Sequence, residues 1–481
     1  MSRQRHIWAQ PSWETGGLLI KKEVKFMKKR LVSLLLVATM CVGLVACSGK
    51  SDSDSGKKKS SGDEITVSIA TLNNPIVSNL VDLAGEYYKE EGVKIDFAVL
   101  PENDLREKAT LEASSGGTTY DVYFTGPYEA NFWITYGWAE NLQPYIDKMT
   151  DEQKESLDLE DIFPSMLDSL SDPETGDIYA LPFFGEASFF MYNKELLANA
   201  GVEMPENPTW QDIYNIAKAV DNEDEGIVGM TMRGAPGWGM SGAPFVTMVN
   251  AMGGKFYDMD WNATVDTPEQ REAWEMYKNV LRDAGQDDII TYTYNECISL
   301  MNSGKCGIYY DATSNAPNLE TEESLIKGKV GYAQAPSGWR WHWGMNLYPN
   351  SSDEKKLAAF DFMVWACSKD YVELALKEDP TGASTPSGVR ASTYELDAYK
   401  DLPYAKPTLE ALDRLDFNHP CKDPVPYVGL QYIAIPEFQE AGDKMTENLA
   451  AYVTDEMTLD EALADTQKVF EKAAEEGGYK K

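Results

Sequence analysis

Histidine is the scarcest reactive side chain in this sequence, with three among 481 residues and only His342 and His419 beyond His6. No H-E-x-x-H, P-loop or G-x-S-x-G elbow occurs. The nearest serine candidate, "GMSGA" at Gly239–Ala243, lacks the final glycine. Cysteine is little commoner, six in all, and no CxxC or Cys/His cluster has the spacing of a zinc site. "DNEDEG" at Asp221–Gly226 begins like a calcium loop, but Met232 stands where the bidentate Glu belongs, so a solvated acidic loop is the better reading. No cofactor is expected. Positive charge is also short: 43 Lys and Arg against 78 Asp and Glu, a net of −35. That excludes nucleic acid, whose phosphates would be repelled. It disfavours anionic ligands too, unless a local arginine overrides the field.

Long apolar runs are confined to one, "LVSLLLVATMCVGLVA" at Leu31–Ala46, shorter than the ~20 residues a bilayer core requires. Lys28, Lys29 and Arg30 precede it and Leu44-Val45-Ala46-Cys47 closes it, the anatomy of an export signal. The closing tetrad resembles a bacterial lipobox, in which Cys47 would carry lipid and begin the mature chain. Residues 27–46 are therefore expected to be a lipoprotein signal peptide. Residues 1–26 fit neither an n-region nor a domain. Lys22-Glu23-Val24 can be encoded AAG-GAG-GTN, a ribosome-binding sequence shortly before the Met27 codon, which is expected to start translation. Residues 47–63 are polar and of low complexity and are expected to form a lipid-anchored flexible linker of ~20 Å reach. Cys297, Cys306, Cys367 and Cys421 remain for the body. Export permits disulfides, and four buried free thiols are the favoured alternative.

Length favours two lobes. "EITVSIA" from Glu64 and "VKIDFAVL" from Val93 read as strands around an amphipathic helix stopped by Gly92. "DLREKATLEASSGG" reads as a second helix and "YDVYFTG" as a third strand, so a parallel or mixed α/β sheet follows. A helical middle comes next, including Thr209–Val220, then short strands "GIYYDAT" and "VGYAQAP" and a helical tail.

The abundant feature is the aromatic ring beside a turn and one polar group. "TGPYEANFW" offers Tyr128, Glu129 and Trp133; "LPFFGEASFFMYN" offers Phe184, Glu186 and Tyr192; "RGAPGWG" offers Arg233 and Trp238. "GIYYDATSN" offers Tyr310, Asp311 and Asn315; "PSGVRAST" offers Arg390; "PVPYVGLQY" offers Tyr427 and Gln431. Sugars and polyols need such chemistry, with C–H faces on rings and hydroxyls on carboxylates, guanidinium and amides. In "GWRWHWGMNL", Trp339, Trp341 and Trp343 alternate onto one strand face with Met345 and Leu347, opposite Arg340, His342 and Asn346. That is mainly a core strand, with one of the three indoles expected to face ligand. Abundant carboxylates leave glycoside hydrolysis open on residues alone.

"MNSGKCGIYYDAT" and "SSDEKKLAAFDFMVWACSKDY" resemble segments of the extracellular solute-binding proteins of family 1, which serve ABC importers of sugars and polyols. "LPENDLREKATLEASSGGTTYDV", "GPYEANFW", "NAMGGKFYDMDW", "TPSGVRASTYE" and "PVPYVGLQYIAIPEFQ" resemble its sorbitol/mannitol (polyol) binding group, whereas "FFGEASFF" and "NAPNLETEES" depart from it. The resemblance implies a type II periplasmic-binding-protein fold, α/β, with two lobes, a ligand cleft and three crossings, near Phe184–Phe190, Gly307–Thr313 and Trp341–Leu347. Lobe 1 would hold 64–185 and 308–341, lobe 2 186–307 and 342–481. It further implies a non-enzymatic monomer outside the cytoplasmic membrane, held there by lipid on Cys47, that gives a sugar or polyol to ABC permease subunits. Trp238 and Trp343 would be stacking platforms, with Phe184 and Trp341 beside them. Glu129, Glu186, Asp311 and Arg390 would read hydroxyls, and Arg233, Tyr427 and Tyr128 would lie at the edge of the site. A sensing partner of a membrane receptor and a secreted glycosidase are the rival functions.

Overall fold

The computed structural model describes residues 65–480; the expected segments 1–26, 27–46 and 47–63, with Cys47, lie outside the described residues. Among the described residues no helix is long and apolar enough to cross a membrane. Eight strands form one mixed sheet: β1 (Thr66–Leu72), β2 (Lys94–Leu100), β3 (Val122–Thr125), β4 (Leu181–Asn193), β5 (Val228–Thr231), β6 (Cys306–Ala312), β7 (Val330–Gln334) and β8 (Arg340–Leu347). Their order is β2-β1-β3-β8-β4-β6-β5, with β7 also on β4.

The first βαβ unit forms where alternation predicts it. β1 and β2 pair in parallel around the helix Pro75–Glu91, which Asn74 opens by accepting from the Val77 N–H at 2.8 Å. Gly92, at φ 74°, ends it in the left-handed conformation that a side chain resists. The helix Trp210–Val220 begins with a capping box between Thr209 and Asp212.

β4 joins two halves of the sheet. Leu181–Ala187 pair with β8, whereas Ser188–Asn193 pair with β6 and β7. β8 in turn pairs with β3, and β5 with β6. The first half is thus β2-β1-β3-β8 and the second β6-β5 with β7. This corrects the expected division at 308–341 and 342–481. Ile308–Ala312 and β7 lie in the half of β5, and Trp343–Leu347 lie in the half of β1–β3, because backbone pairing rather than sequence distance sets the neighbours. Gly307–Thr313 is accordingly not a crossing, and Trp341–Leu347 lies wholly in one half. The chain passes between halves three times: within β4, between β7 and β8, and between the helices Lys369–Glu378 and Ala405–Asp413, the latter packed on β4 and β7.

β8 sits between β3 and β4, so both its edges are paired. Met345 and Leu347 are fully buried, and on the opposite face His342 and Asn346 are buried while Arg340 is half-buried; Asn346 Oδ1 accepts from Thr125 Oγ1 at 3.0 Å. His342 pairs with the Ser169 hydroxyl at 3.1 Å; burial, then Arg340, pushes its imidazole down to about 3, so it is neutral at physiological pH. The four body cysteines are free thiols, three buried and Cys421 half-buried.

Candidate functional site

In each half, polar residues gather at the carboxyl ends of parallel strands, where an α/β sheet opens a crevice. Asn74 follows β1, Glu102 and Arg106 follow β2, and Gly126 follows β3. Arg233 follows β5, Asp311 lies near the end of β6, and Ser314 and Asn315 come just after it. Between these ends lies a cavity walled by Glu102, Arg106, Phe184, Glu186, Arg233, Trp238, Tyr294, Trp339, Trp341, Trp343 and Gln431 among others.

Two buried arginines organise the wall. Arg106 donates from Nε and Nη2 to Glu102 Oε1, at 3.3 and 3.0 Å, and from Nη1 to Glu129. Its guanidinium lies 4.4 Å from the Trp238 ring centroid and 4.7 Å from those of Trp341 and Trp343. Burial draws this group down, but Glu129 and Glu102 more than offset it and hold it above its ordinary range. Arg233 chelates Asp311 through Nε, 3.0 Å from both oxygens, and Nη2, 2.5 Å from Oδ1; its Nη1 donates to the Gly239 carbonyl at 2.9 Å. It too is raised, because Asp311 outweighs burial.

Glu186 differs. Ser314 Oγ donates to its Oε2 at 2.6 Å, and burial pushes its carboxyl up to about 7, against Arg233 and Ser314, which lower it. Near neutrality the group is therefore both donor and acceptor. Two further wall residues hold buried polar atoms with no protein partner, Trp341 at Nε1 and Gln431 at Oε1. Such atoms are costly unless something else bonds them. Backbone choice makes room for the ring cluster: a Cβ at Gly126 would overlap the Trp341 indole.

Contacts also run between the halves. Tyr294 donates to the Asn73 carbonyl at 3.0 Å. Tyr128 donates to the Pro436 carbonyl at 3.0 Å and accepts from the Gln439 N–H at 2.8 Å. Both contacts join the halves next to the cavity wall, Tyr294 being a wall residue and Tyr128 packing on Trp238.

Of the residues expected at the site, Phe184, Glu186, Arg233, Trp238, Trp341 and Trp343 line the cavity. Trp339, just before β8, joins them, so all three indoles of this stretch face it rather than one. Glu129 and Asp311 stand one layer back, each gripping an arginine, and Tyr128 packs behind Trp238 with ring centroids 4.9 Å apart. Arg390 and Tyr427 are not at the cavity. Arg390 is buried among helix ends, donating to the carbonyls of Leu157, Asp158 and Cys367, where a cation meets the negative end of two helices. Tyr427 is buried elsewhere and accepts from the Phe256 N–H at 3.2 Å. Arg390→Ala should therefore cost about 3 kcal/mol of stability in urea titration while ligand affinity stays within about twofold; an affinity loss without destabilisation would return Arg390 to the site. Sequence reading passed over Glu102, Arg106, Tyr294 and Ser314. For Glu102 and Ser314 the available signal was position, just after a strand of a parallel pair; nothing local marks Arg106 or Tyr294.

The family model described as bacterial extracellular solute-binding protein matches residues 73–373. A mannitol-binding protein of Pseudomonas aeruginosa is 35% identical over 426 residues, 86% of this chain and 94% of the relative. An erythritol/L-threitol-binding protein of Mycolicibacterium smegmatis is 26% identical over 70% of this chain and 72% of its own. Among solved structures, an ABC transporter solute-binding protein from Agrobacterium vitis with bound D-mannitol superposes with a TM-score of 0.81 at 34% identity, covering 86% of this chain and all of that one. With a two-halved α/β body, a cavity between the halves and these relatives, the chain belongs to the bacterial extracellular solute-binding proteins.

Proposed function

We propose that this chain captures an acyclic polyol, a hexitol of the D-mannitol type, in the cavity and delivers it to an ABC permease while tethered to the outer face of the cytoplasmic membrane by lipid on Cys47. The observation that carries the reading is the wall itself: four indoles around two neutralised arginines, with Glu186 and Gln431 carrying acceptor capacity. A hexitol offers C–H edges to the rings and paired hydroxyls to those polar groups. The mannitol-associated relatives support the same class. Ligand between the halves favours their closed arrangement, since only that arrangement supplies both walls. A permease that reads closure then distinguishes loaded from empty protein, and no bond of the ligand changes.

Thermal-shift and titration calorimetry over hexitols, pentitols, hexoses and maltose test this. D-mannitol or D-sorbitol should raise the unfolding midpoint most, and Cys47→Ala should release the protein from the membrane fraction. Binding of maltose with no response to any alditol would overturn the polyol reading; unchanged membrane retention would overturn the tether.

A further inference from the structure

The net charge of −35 disfavours anions, and two arginines in the wall are the groups that could reverse this locally. Neither is free to do so. The fork of Arg233 already chelates Asp311, and its remaining terminal nitrogen holds the Gly239 carbonyl. Arg106 spreads its nitrogens over Glu102 and Glu129 and is flanked by indoles. Bidentate capture of a ligand carboxylate would have to break one of these buried pairs. Glu186 stands apart: among the described residues it has the Ser314 hydroxyl as its hydrogen-bond partner and no cation in ion-pair contact. Two guanidiniums thus serve three carboxylates, Glu102, Glu129 and Asp311, and leave the fourth, Glu186, without an ion pair.

We propose that this makes the cavity a filter against carboxylate-bearing ligands, with Glu186 as its specificity-determining residue: the site admits uncharged alditols and rejects the aldonates that share their carbon skeleton. The inference rests on the polyol reading and narrows it. A terminal CH2OH can donate to Glu186 or accept from it. A carboxylate can only accept, and it adds a further negative charge to a desolvated site already in excess. A site built around a hydroxyl donor rejects an analogue lacking it far more strongly than it rejects a change of size. The groups acting on Glu186 are Arg233 after β5, Asp311 on β6, Glu102 from the helix after β2, and Ser314. Only Arg233 among them is positive, and it is paired.

Titration calorimetry of the full chain at about pH 8, where Glu186 is ionised, provides the test, with D-mannitol and D-sorbitol against D-mannonate and D-gluconate. Each hexitol should bind roughly 100-fold or more tightly than its aldonate, and Glu186→Gln should narrow that ratio by about tenfold or more, whatever it does to hexitol affinity. Lowering the pH of the wild type to about 6 should narrow it in the same direction, because Glu186 then carries a proton while the aldonate stays ionised. An aldonate bound within about tenfold of its hexitol overturns the proposal, as does a ratio that Glu186→Gln leaves unchanged. Should that variant fail to fold, an unchanged wild-type ratio between the two pH values overturns it equally. Failure of both hexitols to bind would instead strike the polyol reading, and the heats with mannitol alone reveal it.

Discussion

Asp311→Ala is expected to lower unfolding free energy by about 3–5 kcal/mol and to remove measurable polyol binding. Asp311 has no exposed surface, and its Oδ1 receives Arg233, the Asn315 amide at 3.1 Å and the Ala312 N–H at 2.6 Å. Its loss strands the Arg233 guanidinium in a buried wall with the Gly239 carbonyl as its remaining hydrogen-bond partner. An uncompensated buried cation costs more than the pair contributes, so most of the effect is desolvation, not lost attraction. Binding fails for a related reason. Arg233 is held in place between the loop at Gly239 and strand β6, and once released it can move into the cavity. Asp311→Asn should fall between wild type and alanine, since its amide oxygen can still accept from Arg233. Urea titration and calorimetry check this; a destabilisation under about 1 kcal/mol would show that the pair is not what holds this wall.

The β strands beside the cavity were legible because their patterns are local. Alternation in "TVSIATL" and "KIDFAVL" is the signature of a strand whatever the tertiary context. Trp339, Trp341 and Trp343 were legible as one face for the same reason, yet that face is at once core and ligand wall. Their indoles bury themselves against Tyr310, Tyr432, Trp238 and Arg106, leaving edges at the cavity. Core and contact are thus not alternatives for these side chains.

Arg106 was illegible because nothing local marks it. In "ENDLREKATLEASS" it is one charge of several on what reads as a solvated helix, and Glu102 four residues earlier looks like ordinary surface support. Its other partners come from Glu129 and from indoles more than a hundred residues away. Arg390 shows the converse. An arginine beside a turn resembles a hydroxyl reader, but two helix C-termini lie against it and take its donors. The lobe assignment after residue 307 failed similarly, because the choice of neighbour for β6 and β8 is made by sheet pairing across the whole chain.

Arg106→Ala is expected to be equally severe in stability, about 3–5 kcal/mol, and to weaken hexitol binding by roughly 100-fold or more. The substitution leaves Glu102 and Glu129, both buried, with no cation between them. Two like charges in that setting cannot both stay ionised cheaply, so one carboxyl in the variant is driven above its unfolded-state pKa. A folded-state pKa raised in this way makes stability fall as pH rises, since the unfolded chain releases the proton first. The variant's deficit should therefore be smallest near pH 5 and grow toward about pH 8. Trp238, Trp341 and Trp343 also lose the cation they pack on, worth about 0.5–2 kcal/mol per contact, and their fluorescence should shift. Arg106→Lys keeps the charge but not the planar fork. One ammonium cannot hold both carboxylates and still lie flat against the rings, so it should restore roughly half of the lost stability and less of the affinity. An Arg106→Ala deficit that is the same at both pH values would mean that packing on the tryptophans, and not neutralisation of the two carboxylates, is the role of this arginine.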